Sequence, residues 1–262
     1  MKNELEQLTA VACQLADLAR AEAVPRFRQP VALERKADRS PVTEADRGAE
    51  AAMRDYLASV LPSHGIVGEE FGNERADASH VWILDPIDGT KAFICGRPLW
   101  GTLVGLLRDG EPWLGVIDLG ALDARYVGRP DTGTTLNGAP SRTSSVASLA
   151  EARLGATTPD MFEGTCERAF NELGKAVWFR IFGGDCGAYG SVAEGRLELV
   201  VEADLKPYDY LPLVPVVTGA GGVMTDWQGR TLRLDHTTHQ VLASANESLH
   251  AAALDFLRPA AA

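Results

Sequence analysis

Cysteine is scarce in this 262-residue chain: Cys13, Cys95, Cys166 and Cys186 stand far apart, with no C-x-x-C pair and no zinc-site spacing. A disulfide-framed scaffold is thereby excluded, and reduced thiols in a cytoplasmic protein are the expectation. Long apolar runs are missing too. The longest, from Leu213 to Met224, is interrupted by Pro215, Gly219, Gly221 and Gly222, so no membrane span is expected. The start, Met1-Lys2-Asn3-Glu4, leads into an amphipathic pattern rather than a signal-type apolar core. Positive charge is in deficit, with 25 Lys and Arg against 36 Asp and Glu and a net charge of −11. That balance argues against nucleic acid or an anionic membrane as a partner. No serine sits in a G-x-S-x-G elbow, which removes support for a serine hydrolase. The Gly183-Gly184 turn lacks both the dinucleotide fingerprint and the phosphate-loop lysine, so neither nucleotide fold is supported. His236-x-x-His239 has metal spacing but lies in a Thr-rich loop and reads as surface.

What is present is the ordinary material of a globular protein, 45% hydrophobic and 23% charged, in a chain long enough for two packed subdomains. Leu5, Leu8, Val11, Leu15 and Leu18 recur at helical spacing and predict a first helix over 3–24. A second helix opens after Pro41 and Thr43, with Ala49, Met53 and Leu57 on its apolar face. Ile66-Val67 is a short strand, and Val81–Leu84, apolar on both faces, is a central one. Segments 99–107 and 112–119 flank Arg108-Asp109-Gly110-Glu111 as a hairpin, and Asn137-Gly138 marks another turn. Beyond a polar connection at 141–148, helices are predicted at 160–173, 186–195, 209–221 and 247–257, with strands at 176–182, 197–202, 222–226 and 239–244. This alternation predicts an α/β layer packed on an α+β first half, with subdomains at 1–145 and 146–262.

The densest chemistry lies in Trp82-Ile83-Leu84-Asp85-Pro86-Ile87-Asp88-Gly89-Thr90, just after Gly68-Glu69-Glu70. An apolar strand here delivers two carboxylates into a Pro/Gly turn. Acids gathered at a buried strand end need a cation or a proton to neutralise them. Oxygen ligands of this kind suit a hard divalent metal such as magnesium. Proline biases Leu84-Asp85 toward extended geometry, so that Asp85, Asp88 and the Ile87 carbonyl can share one small volume. Backbone N–H groups at Gly89 and Thr90 could hold a phosphate. Glu69 or Glu70 is a candidate third ligand. Thr43-x-x-Asp46 reads as a helix cap, and Lys36 as a loop cation. Asp209 is either the N-cap of its helix or a carboxylate aimed at the same metals from the second half.

Taken together, Gly68-Glu69-Glu70, Asp85-Pro86-Ile87-Asp88-Gly89-Thr90 and Asp209 strongly resemble the inositol monophosphatase superfamily over nearly the whole chain. Gly96–Thr102, Gly183–Cys186, Val200–Tyr210 and Gly219–Gly222 look closest to its histidinol-phosphate phosphatase branch. The resemblance implies a layered αβαβα sandwich of the inositol monophosphatase and fructose-1,6-bisphosphatase type, and a homodimer. It implies hydrolysis of a small phosphate monoester with two or three Mg2+ ions. One ion would take Glu69, Asp85 and the Ile87 carbonyl; a second would take Asp85, Asp88 and Asp209; a weaker third would lie near Glu69. Phosphate would rest on Gly89 and Thr90, and Thr90, Asp46 and Glu69 would orient the attacking water, with Lys36 near the site. Asp185 and Glu202 would contact the alcohol side of the substrate, where two acids suit the ammonium and imidazole of histidinol phosphate better than a neutral cyclitol. Related histidinol phosphatases commonly carry an aromatic residue after the Asp185-Cys186 pair. Gly187 stands there instead, which predicts extra room in the pocket.

Overall fold

The computed structural model describes residues 2–30, 33–35 and 41–261. The first half runs α1 (Lys2–Ala23), β1 (Leu33–Arg35), β2 (Pro41–Thr43), α2 (Glu44–Val60), β3 (Gly65–Gly68), β4 (Gly72–Glu74), β5 (His80–Asp88), α3 (Thr90–Ile94), β6 (Gly101–Arg108), β7 (Glu111–Leu119), β8 (Ala124–Arg129), β9 (Gly133–Leu136) and β10 (Ala139–Pro140). The second half runs β11 (Arg153–Ala156), α4 (Gly164–Ala176), β12 (Phe179–Phe182), α5 (Cys186–Ala193), β13 (Leu199–Glu202), α6 (Pro207–Tyr210), α7 (Leu213–Gly219), β14 (Val223–Asp226), β15 (Val241–Ser244) and α8 (Glu247–Leu257).

Eight strands form one sheet in the order β10-β9-β8-β7-β6-β5-β3-β4, and five form a second in the order β12-β11-β13-β15-β14. Three apolar clusters bind the layers. Leu8, Leu15, Met53 and Leu57 of α1 and α2 pack on Trp82, Leu84, Val104 and Val116 of the first sheet. The opposite face of that sheet, with Val81, Ile83 and Ile117, meets Tyr189, Val192, Leu213 and Val216, which in turn cover Val200 and Ala243 of the second sheet. Phe170, Leu173, Leu249 and Leu257 of α4 and α8 close the far side on Leu154, Val201 and Leu242. The result is the αβαβα sandwich. Strand β5 is central and buried on both faces, because period-2 alternation sends Trp82 and Leu84 to one helical layer and Val81 and Ile83 to the other. By the same alternation Asp85 points toward the middle helical layer.

Three differences from the sequence reading have physical causes. Strand β11 was not expected, because Arg-Leu-Gly-Ala has little β propensity; it is held by parallel pairing to β12 on one side and β13 on the other. The single helix expected over 209–221 is two, α6 and α7, with Pro212 at the break. Because α6 starts at Pro207, with Lys206 as its N-cap, Asp209 is not an N-cap. It occupies the third position of α6, where its Oδ2 accepts the backbone N–H of Lys206 at 2.6 Å.

The docking of α7 on the first sheet depends on glycine. Gly105, Gly115 and Gly128 are cross-strand neighbours on β6, β7 and β8. A Cβ on Gly115 would lie 2.0 Å from the Pro212 carbonyl oxygen, and one on Gly128 would lie 2.3 Å from the Pro215 carbonyl carbon. This bare row lets the Pro212–Val216 backbone sit directly on the strands, and Asp209 lies just before it.

Candidate active site

The site is built where β5 ends. Its pairing to β6 is interrupted between Asp85 and Asp88, so the strand bulges across Pro86-Ile87. Thr102 Oγ1 donates to the Pro86 carbonyl at 2.8 Å, and the Ile87 N–H donates to Asp85 Oδ1 at 3.1 Å. Gly89 follows with φ of +80°, a left-handed turn that opens α3. An added Cβ there would also lie 3.0 Å from Asp185 Cγ, so the Asp185 carboxyl packs directly against the turn.

Four other segments converge on this end. Parallel pairing of β3 with β5 sets Gly68 beside Leu84, and the Glu69 N–H donates to the Leu84 carbonyl at 3.2 Å. From α2, Asp46 accepts the Thr43 N–H at 2.8 Å and its hydroxyl at 2.5 Å on Oδ2, while Oδ1 faces the Thr90 hydroxyl at 3.3 Å. Asp46 therefore caps its helix and also reaches Thr90. Its two oxygens divide those tasks. The Thr90 hydroxyl also lies 3.1 Å from the Ile87 carbonyl. The Cys186 N–H, at the start of α5, donates to Asp88 Oδ2 at 2.6 Å. Asp209 arrives on α6, and the carboxylate oxygens of Asp85, Asp88 and Asp209 lie within 4.8 Å of one another.

These acids border a cavity of about 250 Å3 together with Glu69, Gly89, Thr90, Asp185 and Glu202. Lys36 lies outside the described residues. Gly187 does not line this cavity; it borders a neighbouring one of about 190 Å3 beside Gly184 and Leu197, so the extra room expected at Gly187 is displaced from the acids. Three polar residues that the sequence reading passed over do border the site: Lys91, Thr157 and Tyr189. No local pattern marks the last two, since β11, whose end delivers Thr157, was itself unrecognised. A larger cavity of about 700 Å3, lined by Asp77, Asp109 and Tyr208, gathers no comparable cluster of convergent acids among the described residues.

Electrostatically the site is loaded. Burial raises Asp85 well above the ordinary carboxylate range, and Glu69, Asp88 and Asp209 add to the rise. Asp88 is raised by burial and by Asp185 and Asp209. Burial also lifts Asp209 to about 7, against the opposing Lys206 N–H. Glu202, 3% exposed, is pushed up to about 7 by burial although it accepts the Thr157 N–H and the Tyr189 hydroxyl, both at 2.9 Å. Asp185 is raised to about 6 by burial, with Arg97 and Lys91 pulling the other way. Convergent oxygens whose neighbours are other carboxylates fit a hard divalent cation, which would neutralise them together.

The stability consequence has a definite sign. A carboxyl whose folded pKa lies above its unfolded value near 4 stabilises the fold at low pH and loses that contribution as pH rises through the folded value. With Asp185 near 6 and Asp209 and Glu202 near 7, the metal-free protein should lose stability between about pH 4 and 8. Added Mg2+ should therefore raise Tm more at pH 8 than at pH 5.5. Equal Mg2+ gains at the two pH values in a thermal melt would refute this.

Residues 4–259 match the model of the inositol monophosphatase family. The chain is 42% identical to the chloroplastic bifunctional phosphatase IMPL2 of Arabidopsis thaliana, over 97% of this chain and 76% of that protein. It is 33% identical to the histidinol-phosphatase of Chlorobaculum parvum, over 91% of this chain and 92% of that one. Among solved structures, an inositol monophosphatase from Zymomonas mobilis superposes with a TM-score of 0.89 at 43% identity, covering 97% of this chain and 98% of that one.

Proposed function

Given that the chain belongs to the inositol monophosphatase family and is a phosphatase, we propose that it hydrolyses L-histidinol phosphate to L-histidinol and phosphate. Its cofactor in this reading is Mg2+, two or three ions per site. Glu69, Asp85 and the Ile87 carbonyl would hold the first ion and Asp85, Asp88 and Asp209 the second, with a weaker third near Glu69. When bound, the ions supply charge neutralisation and Lewis acidity toward water and the phosphate oxygens.

The remaining work belongs to the chain. Thr90 and Asp46 form a hydroxyl–carboxylate pair in which the hydroxyl donates its hydrogen bond to Asp46 Oδ1, leaving a lone pair of the Thr90 oxygen to accept from and orient an attacking water. Thr43 holds the other Asp46 oxygen, which fixes the carboxylate plane. The N–H groups of Gly89 and Thr90 bind the phosphate, and Glu69 completes the orientation of the water. Phosphoryl transfer asks mainly for positioning and charge neutralisation, so this modest inventory suffices.

The observation that carries the substrate assignment is Glu202. It is a buried acid that lines the cavity with Asp185, and its carboxylate is held by Tyr189 and Thr157. Two acids there suit a cationic amino alcohol and penalise a neutral cyclitol, which offers no charge to offset their desolvation. Phosphate release should show a much higher kcat/KM for L-histidinol phosphate than for inositol-1-phosphate, and Glu202→Gln should narrow that ratio. Equal or reversed preference in the unmodified enzyme would sink the substrate assignment and leave the family intact. Fructose-1,6-bisphosphate and a 3′-phosphonucleotide belong in the same panel.

The homodimer has a candidate surface at the outer edge of the second sheet. On and beside β12, Trp178 is 68% exposed, with Phe179, Ile181 and Phe182 exposed next to it. An apolar, unpaired edge of this kind calls for a cover. Sedimentation should give twice the chain mass, and Trp178→Lys should lower it toward the monomer; a monomeric wild type would refute the assignment. No helix among the described residues is long and apolar enough to cross a membrane. The four cysteines are free thiols, which suits the reducing cytoplasm.

A further inference from the structure

The face of α2 that carries Asp46 also carries Glu50, one turn further along. Glu50 is fully buried. A buried carboxylate is tolerated only when its charge is paired and its lone pairs are occupied. Both conditions hold here. Glu50 Oε2 accepts the Glu70 N–H at 2.7 Å, and Oε1 accepts the Phe71 N–H at 3.2 Å and Arg54 Nε at 2.7 Å. Arg54 in turn donates to Glu74 at 2.9 Å and to the Gly72 carbonyl. A buried acid and its partly buried arginine thus hold the turn between β3 and β4.

Gly68 is part of the same device. A Cβ at that position would lie 2.2 Å from Glu50 Oε1, so the carboxylate rests against bare backbone. The residue enclosed between Gly68 and the clamped Glu70 N–H is Glu69, next to Asp85 in the acid cluster.

We propose that Glu50, backed by Arg54, is a positioning residue that sets the direction of the Glu69 carboxylate toward Asp85. The proposal rests on the reading of Glu69 and Asp85 as cation ligands. On this assignment α2 reaches the site twice, through Asp46 to Thr90 and through Glu50 to the Glu69 turn. Groups that orient a ligand by hydrogen bonding to its surroundings commonly contribute 10–100-fold in metal affinity.

The test is calorimetric titration of Mg2+ into substrate-free protein. Glu50→Gln keeps the side-chain volume but leaves one carbonyl oxygen for three donors, and the Mg2+ dissociation constant should rise about 10–100-fold. The double variant E50Q/R54M removes the orphaned guanidinium and is measured alongside, which guards against loss of folding in the single variant. It should show the same weakening. Mg2+ binding by the unmodified protein combined with unchanged affinity in either variant overturns the proposal, and a lowered Tm alone would then mark a structural clamp. Failure of the unmodified protein to bind Mg2+ overturns the ligand reading on which the proposal stands.

Discussion

Replacing Asp88 with asparagine is expected to lower kcat by at least ~100-fold, the scale of losing one key electrostatic group. Asparagine preserves the volume and can still accept the Cys186 N–H that Asp88 Oδ2 now receives at 2.6 Å. The change therefore removes charge while leaving the contact between the two halves in place. Two signatures should accompany the slow turnover. Mg2+ affinity should fall, because one oxygen of the Asp85–Asp88–Asp209 group loses its charge. The metal-free variant should also melt higher than the metal-free wild type at pH 8, because like-charge repulsion on Asp85 and Asp209 is relieved. Undiminished turnover would refute the assignment of Asp88 as a ligand. A variant that is both slow and less stable without metal would point to a structural fault instead.

Gly115→Ala should be the most damaging single methyl group in the first sheet. Its Cβ would lie 2.0 Å from the Pro212 carbonyl oxygen, where the obstacle is backbone and no side chain can rotate away. Overpacking costs about 1–3 kcal/mol, and an obstacle made of backbone puts this case at the upper end of that range. For a chain of this size that corresponds to a fall in Tm of about 6–12 °C. Because Asp209 lies only three residues before Pro212, the same displacement should weaken Mg2+ binding. Thermal melts with and without Mg2+ separate the two effects. A Tm within a degree of wild type would show that α7 does not rest on the glycine row as described.

Both experiments bear on how much of this molecule was legible beforehand. The D-P-I-D-G-T segment was readable because its chemistry is local. Proline, the bulge and a left-handed glycine act within a few residues, and the period of two on β5 puts Asp85 on the same face as Val81 and Ile83. The cap at Thr43 and the hairpin at 101–119 were readable for the same reason. Misreadings arose where distant packing overrode local preference. Strand β11 has a poor strand sequence and exists because it is paired on both sides. Its end supplies the Thr157 N–H to Glu202, a contact with no trace in local pattern. The helix starts at Pro207 rather than at 209, which moved Asp209 from cap to third position. Glycines 105, 115 and 128 lie on three separate strands, and only register makes them one surface.

By itself, then, the sequence determined the reaction-bearing turn, the helical and strand periodicities and the acidic character of the site, since each is written within one turn or one strand pair. Only the tertiary structure decided which acids share a volume. It brought Asp209 to Asp85 across a bare glycine row and folded Asp185 onto Gly89. It also buried Glu50 completely behind the turn that carries Glu69. The physical reason is range: hydrogen bonds and steric preferences act between neighbours, whereas a cluster of like charges is assembled only when the packing of whole layers leaves those carboxylates no other place to lie.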